Sequence, residues 1–103
     1  MKTDVALKVP REKAFYFFTS IGNYTGENAA SLKEFMEKID VVNIKSLEFH
    51  LQRGDFEKWT SEVLQDSELA LEIRKLQKLV LSGDALRNHL FSTVSRRIRY
   101  LSG

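Results

Sequence analysis

The chain has 103 residues, of which 43% are apolar and 29% are charged, a balance typical of a soluble globular domain and unlike that of a disordered segment. Its formal net charge is only +2, and the absence of cysteine excludes disulfides, thiolate metal sites and thiol chemistry within the chain. No run approaches about 18 apolar residues and no apolar core follows Met1, so we expect a single cytoplasmic domain over residues 1–103, with no membrane span.

The first quarter of the chain is the part that patterning describes least well. Residues 1–9 are predicted to form an extended lead-in. Pro10 suits the first position of a helix, and residues 11–21 could then continue as a helix. The aromatic run at residues 15–19 is instead typical of a strand. Because no second strand is evident to pair with it, we predict a helix, with the strand as the alternative. The segment 22–28 is rich in Gly and Asn and is predicted to be a surface loop.

Helical spacing of apolar residues predicts five further helices. Ser31 and Glu34 have capping-box spacing at the start of the first of these, and Asp66 is placed to cap the fourth. The apolar residues of the five stripes are Leu32, Phe35, Met36 and Ile39; Ile44, Leu47 and Leu51; Phe56, Trp59, Val63 and Leu64; Leu69, Ile73, Leu76 and Val80; and Leu86, Leu90, Val94, Ile98 and Leu101.

Two Gly-Asp pairs punctuate these stripes. Gly54 suits the left-handed position just past a helix end, and Asp55 can accept hydrogen bonds from the first N–H groups of the next helix. Gly83 and Asp84 repeat the same pair. The predicted fold is therefore all-α: a compact bundle of five or six short helices joined by tight Gly-Asp corners.

The Gly54 corner also carries the best candidates for chemistry. A histidine near a carboxylate, such as His50 near Asp55, can act as a general base or a metal ligand. The alternative is structural, with Asp55 capping a helix and Arg53 complementing a helix C-terminus. Because His89 is the only other imidazole, we predict no metal site, no cofactor and no catalytic residue.

We predict instead a binding surface that combines this corner with the segment 22–28. Its candidate residues are Tyr24, Thr25, His50, Arg53 and Asp55. The chain also contains more aromatic surface than two-sided helices of a small domain can hide, which indicates docking or self-association as a homodimer.

The C-terminal stretch is basic. Residues 84–103 contain four arginines and a single acidic residue. On a helical wheel Arg96 and Arg99 share a polar face, whereas Arg97 falls within the apolar arc. Arg96, Arg97 and Arg99 are the candidates for contacts to nucleic-acid phosphate, and Arg97 is alternatively a partner for a buried carboxylate.

One ordered string links the chain to a family. The core His50-x-x-Arg53-Gly54-Asp55-Phe56-x-x-Trp59, with flanking segments across residues 14–75, resembles a small, mainly archaeal family of domains of unknown function. The resemblance implies an independently folding helical domain of archaeal type. It implies no activity, so no catalytic role transfers to the corner residues.

These observations define three functional hypotheses. The first is a non-enzymatic protein-interaction or regulatory module, whose partner is another protein or a second copy of this chain. The alternative is nucleic-acid binding through the basic C-terminal helix. The third is a small enzyme or ligand-binding site at the His50/Asp55 corner.

Overall fold

The computed structural model describes residues 4–103. Residues 4–10 contain no helix or strand, and the remainder of the predicted lead-in, residues 1–3, lies outside the described residues. The elements that follow are a 3-10 helix at Arg11–Lys13, strands β1 (Phe15–Ser20) and β2 (Asn23–Ala29), and helices α1 (Leu32–Ile39), α2 (Ile44–Arg53), α3 (Asp55–Glu62), α4 (Ser67–Gln77) and α5 (Gly83–Leu101).

The all-α prediction is wrong, because the chain begins with an antiparallel β-hairpin that makes up about 13% of it. The predicted helix over residues 11–21 is replaced by the short 3-10 helix and β1, and the predicted loop over residues 22–28 lies mostly in β2. The aromatic run does indicate a strand, but β2 is polar and its alternation is too weak to identify it as the partner. The fold is mixed α/β.

The hairpin is irregular in register. Phe15 pairs with Ala29 and Phe18 with Tyr24, and the register shifts between these two pairs. Gly22 adopts the left-handed φ of +79° in the connection, a conformation that glycine reaches without steric cost. Shifts of this kind are typical of bulged strands and increase the local twist of a hairpin.

The hairpin closes over the helices through an aromatic cluster. Phe15 and Phe17 are buried and face Phe35 of α1 and Phe56 of α3, with the Phe15 and Phe56 ring centroids 5.0 Å apart. Trp59 of α3 packs against the same group, 5.3 Å from Phe35. Each such ring removes a large apolar area from water, so this cluster anchors the sheet to the helical part of the core.

Side-chain caps and the conformation of a glycine explain where α1 and α4 begin and where α2 ends. The Oγ of Ser31 accepts a hydrogen bond from the Glu34 N–H, and Asp66 Oδ1 accepts one from the Leu69 N–H, as predicted for the starts of α1 and α4. Gly54 ends α2 with a φ of +77° and α3 begins immediately after it. The first Gly-Asp corner is therefore a direct helix-to-helix junction.

Two details of the corner predictions are wrong. Asp55 makes no side-chain cap of α3, because its carboxylate is engaged by the preceding helix instead. The second Gly-Asp pair is not a tight corner. Helix α4 ends at Gln77, residues 78–82 connect it to α5, and the Gly83 N–H donates to Oε2 of Glu48. Within residues 4–103, no helix is both long and apolar enough to cross a membrane.

Candidate functional site

A groove of about 460 Å³ runs between the edge of β1 that faces away from β2 and the junction of α2 and α3. Strand β1, the hairpin connection and both helices supply its walls. Its lining residues are Phe15, Tyr16, Phe18, Ser20, Ile21, Gly22, Phe49, His50, Arg53, Asp55, Lys58, Trp59, Glu62 and Val63. Most of the lining is aromatic or aliphatic, with charged side chains contributed by the α2/α3 junction. A concave apolar surface with a few polar groups is the usual composition of a ligand site.

His50 joins three elements at the inner wall of this groove. Its Nε2 accepts a hydrogen bond from the Phe18 N–H at 2.8 Å, and its Nδ1 lies 2.8 Å from Oδ2 of Asp55. Because Nε2 is an acceptor, the proton of the neutral ring is on Nδ1 and is donated to the carboxylate. The side chain is 5% exposed. His50 therefore fastens the outer edge of β1 to the corner through both ring nitrogens.

The environment of His50 favours its neutral form. Burial lowers the pKa of the imidazole below its ordinary value of 6.5. The Asp55 carboxylate favours the protonated ring, but its effect on the pKa is smaller than that of burial, and Arg53 lowers the pKa further. Protonation at Nε2 would also place an N–H donor against the Phe18 N–H. A general base needs a nitrogen within reach of substrate, and both nitrogens of His50 are already bonded within the protein.

Arg53 is held at the mouth of the groove by two contacts. Its Nε donates to Oδ2 of Asp55 at 3.1 Å, and its guanidinium lies over the Phe49 ring at 4.9 Å from the centroid. The side chain remains about half exposed. No hydrogen bond joins its two terminal nitrogens to another residue of the described chain, so they are available donors at a fixed position.

Helix α3 supplies the opposite wall. Trp59 lies deep in the groove, where its Nε1–H donates to the Lys13 carbonyl oxygen at 2.8 Å. Lys58 and Glu62 are exposed on the same helix, and neither takes part in any ion pair found among residues 4–103. Within the described part of the chain, α3 thus offers the groove one cation and one carboxylate that form no ion pair.

The structure brings His50, Arg53 and Asp55 together but separates them from the other two predicted binding residues. Thr25 donates its hydroxyl to the Phe17 carbonyl oxygen, a bond that holds the hairpin together. Tyr24 is exposed on β2, with its ring 5.4 Å from that of Phe18. Neither Thr25 nor Tyr24 lines the groove.

Sequence reasoning missed several groove residues. Lys58 carried no signal, because an exposed lysine on an amphipathic helix is usually only a solvated side chain. Phe49, by contrast, is among the aromatic side chains that the sequence predicts to leave apolar surface for docking, because it lies off the apolar stripe of α2. Ile21, in the hairpin connection, also lines the groove and has 84% of its surface exposed.

The three predicted nucleic-acid residues do not act as a group. Arg97 is mostly buried and pairs with Asp66, Nε to Oδ2 at 2.8 Å, and with Glu68 at 2.9 Å. Its hydrogen bond to Asp66 is the main cause that raises the Arg97 pKa above the ordinary value. Arg96 and Arg99 are exposed on α5. The charge of Arg97 is therefore already paired with carboxylates of the chain.

Metal-ligating residues are also dispersed. Across residues 4–103, no cluster of three or more His, Asp or Glu side chains is arranged to hold a metal ion. The groove contains only one imidazole and two carboxylates, and Asp55 already bonds to both His50 and Arg53.

The chain was compared with protein-family models, curated proteins and solved structures, and a family model matches it. A family model described as a family of unknown function, DUF5752, matches residues 2–95, which include every element from the hairpin to most of α5 and therefore the whole groove. No curated protein matches the chain. No solved structure matches it either.

Proposed function

The chain belongs to the DUF5752 family of unknown function, and from the geometry of its groove we propose that it is a non-enzymatic interaction module that binds a segment of a partner protein. The observation that carries this proposal is the combination of an apolar groove with an arginine fixed at its mouth. An archaeal origin, which rests on the resemblance in residues 14–75, and a cytoplasmic setting, which rests on the composition of the chain, belong to the same proposal.

The apolar lining supports binding because it leaves hydrophobic surface in contact with water. Ile21 is almost fully exposed, and Phe18, Phe49 and Val63 are each partly exposed around the same concavity. Covering such side chains contributes about 25 cal/mol per Å² of apolar area. Aromatic side chains and arginine are also the residues that most often dominate the affinity of protein interfaces.

The bonding of His50 favours binding over catalysis. A small hydrolase at the His50/Asp55 corner would need an imidazole nitrogen directed at its substrate. Here the Phe18 N–H occupies Nε2 and Asp55 occupies Nδ1, so the pair positions strand β1. The carboxylate of Asp55 in turn orients Arg53, which makes the polar groups of the corner supports for a binding surface.

The partner is best identified by comparing variants of the groove in lysate from the source cells. Tagged wild-type chain is used beside Ile21→Ser and Phe49→Ser, which remove apolar contact area from the groove. Val41→Ser is the matched control, because Val41 is 66% exposed and does not line the groove. We expect a defined protein to be recovered by the wild type and the control and lost by both groove variants.

The same experiment can contradict the proposal. Recovery of the same proteins by all four chains, each verified as folded by circular dichroism, would show that the groove is not the interaction surface. Recovery of nucleic acid that is lost with Arg96→Gln and Arg99→Gln would favour the alternative function instead. A second copy of the chain as the recovered partner would identify the groove as a homodimer interface.

A further inference from the structure

We infer that the partner segment is acidic and that it seats a carboxylate on Arg53 and Lys58 beside an apolar side chain in the groove. This inference rests on the proposed function and adds the chemistry of the partner. It follows from which hydrogen-bond donors and charged groups lining the groove have partners among residues 4–103 and which do not.

Two contacts hold the Arg53 guanidinium in an orientation that suits a planar anion. The Asp55 carboxylate fixes its Nε, and the Phe49 ring supports one face of the guanidinium at 4.9 Å. Holding a long side chain in place lowers the entropy that a ligand must remove on binding. The two terminal nitrogens bond to no other described residue, and an arginine with free terminal nitrogens matches the two oxygens of a carboxylate.

Lys58 supplies a second positive charge at the same groove. It is exposed, and no carboxylate of residues 4–103 lies within 4.0 Å of its ammonium group. Asp55 does not offset it, because that carboxylate is shared between His50 and Arg53. The cations therefore exceed the anions at the end of the groove nearest the corner.

Glu62 places a negative charge in the part of the groove beyond Lys58. It lies one helical turn beyond Lys58 and lines the groove without a cationic partner among the described residues. A carboxylate of the partner is attracted at Arg53 and repelled near Glu62. The groove thus distinguishes the two ends of a bound segment by charge.

A peptide suits this pattern better than a nucleic acid. Among residues 4–103, two cations and two carboxylates line the groove. A continuous phosphate backbone carries a charge at every nucleotide and is bound by extended basic surfaces. A single carboxylate next to a hydrophobic side chain matches both the terminal nitrogens of Arg53 and the apolar walls.

The test uses the full chain and three matched pools of fluorescein-labelled heptapeptides with a central Leu or Phe. In every pool the flanking positions include Gly and Ser. They also include Glu and Asp in the acidic pool, Gln and Asn in the neutral pool, and Lys and Arg in the basic pool. Binding is measured by anisotropy and, with unlabelled pools, by the fluorescence of Trp59, the sole tryptophan, which lines the groove. A labelled single-stranded RNA heptamer is measured in parallel.

We expect the acidic pool to bind about tenfold more tightly than the neutral pool, and the basic pool most weakly. Arg53→Gln and Lys58→Gln should each lower the ratio of acidic-pool to neutral-pool affinity severalfold, whereas Glu62→Gln should raise that ratio. Lys33→Gln is the charge-matched control, because Lys33 is exposed on α1 and does not line the groove.

The contrary outcomes distinguish a failure of the acidic-partner inference from a failure of the proposed function. Equal binding of the acidic and neutral pools, lost with Phe49→Ser, would overturn the acidic partner and leave the interaction groove standing. Failure of every pool to bind or to alter Trp59 fluorescence would overturn both. Tighter binding of the RNA heptamer that depends on Arg53 and Lys58 would replace the peptide with a nucleic acid.

Discussion

The imidazole of His50 accepts a hydrogen bond from the backbone N–H of Phe18 at 2.8 Å, across 32 residues of sequence. This bond satisfies an N–H on the edge of β1 that has no strand beside it. It also fixes the distance between β1 and the α2/α3 junction, which form the two sides of the groove. The polar side chains of the corner therefore hold β1 against the α2/α3 junction, and this structural role is independent of any binding.

The first prediction concerns the pH dependence of stability. Because the folded chain lowers the pKa of His50 below 6.5, the unfolded chain binds this proton more readily. The contribution of His50 is complete above pH 6.5 and is lost as the pH falls from 6.5 towards the lowered pKa. We expect the free energy of unfolding in urea to be level between about pH 7 and 8 and to decrease as the pH falls below about 6.5.

Two variants assign that decrease to His50. His50→Gln removes the titrating ring and should flatten the profile just below pH 6.5, whereas His89→Gln, at an exposed position, should keep the wild-type decrease. Glu34, whose pKa is lowered from 4.5 mainly by the Ala30 N–H, contributes a further loss only at more acidic pH. An equal decrease in His50→Gln would contradict the assignment.

The second prediction concerns Trp59, which is 7% exposed and bonds to the Lys13 carbonyl oxygen. Trp59→Ala should lower the free energy of unfolding by about 3 to 5 kcal/mol, because it removes a large aromatic contact from the core. Trp59→Phe keeps a ring and loses the hydrogen bond, for a smaller cost of about 1 kcal/mol. Urea unfolding followed by circular dichroism measures both, and a loss below about 1 kcal/mol for Trp59→Ala would place its ring outside the core.

The third prediction concerns Gly54, whose φ of +77° lies in the left-handed region. No atom would clash with an added Cβ, so Gly54→Ala tests backbone conformation alone. We expect a loss of about 1 to 2 kcal/mol, and a smaller loss for Gly54→Asn, because asparagine tolerates this region better. Calorimetric unfolding with Ala equal to or better than Asn would be inconsistent with this strain.

The fourth prediction concerns the arginines of α5. Arg97→Gln leaves Asp66 Oδ2 without its cation in a mostly buried place and should cost about 1 to 3 kcal/mol of stability. Arg96→Gln and Arg99→Gln change exposed side chains and should stay within about 0.5 kcal/mol of the wild type. Thermal melts of the three variants test the distinction, which would fail if all three lost the same amount.

Patterning located the helices because each one has an apolar stripe and a recognisable start or end. Ser31 and Asp66 cap α1 and α4 with their side chains, and Gly54 separates α2 from α3 with the backbone conformation that glycine favours. The hairpin was not identified, because β2 is polar along its length and presents no alternation of its own. A strand of that kind is specified by its partner β1.

The candidate site was predicted in part. His50, Arg53 and Asp55 are adjacent in sequence and do meet, but the prediction that Asp55 caps α3 was wrong, because its carboxylate turns back to His50 and Arg53. Tyr24 and Thr25 were assigned to the same surface as the corner and lie outside the groove, on β2. Lys58 and Ile21 join the groove only through the packing of β1 against the helices.

The sequence by itself determined the five helices α1 to α5, the side-chain caps of α1 and α4 and the polar cluster at Gly54, because these depend on interactions within a few residues. The tertiary structure decided that residues 15–20 are a strand, that the nitrogens of His50 are both occupied, and that Arg53 faces an apolar groove. Those features depend on contacts between distant segments, such as Phe18 with His50 and Lys13 with Trp59, which no local pattern encodes.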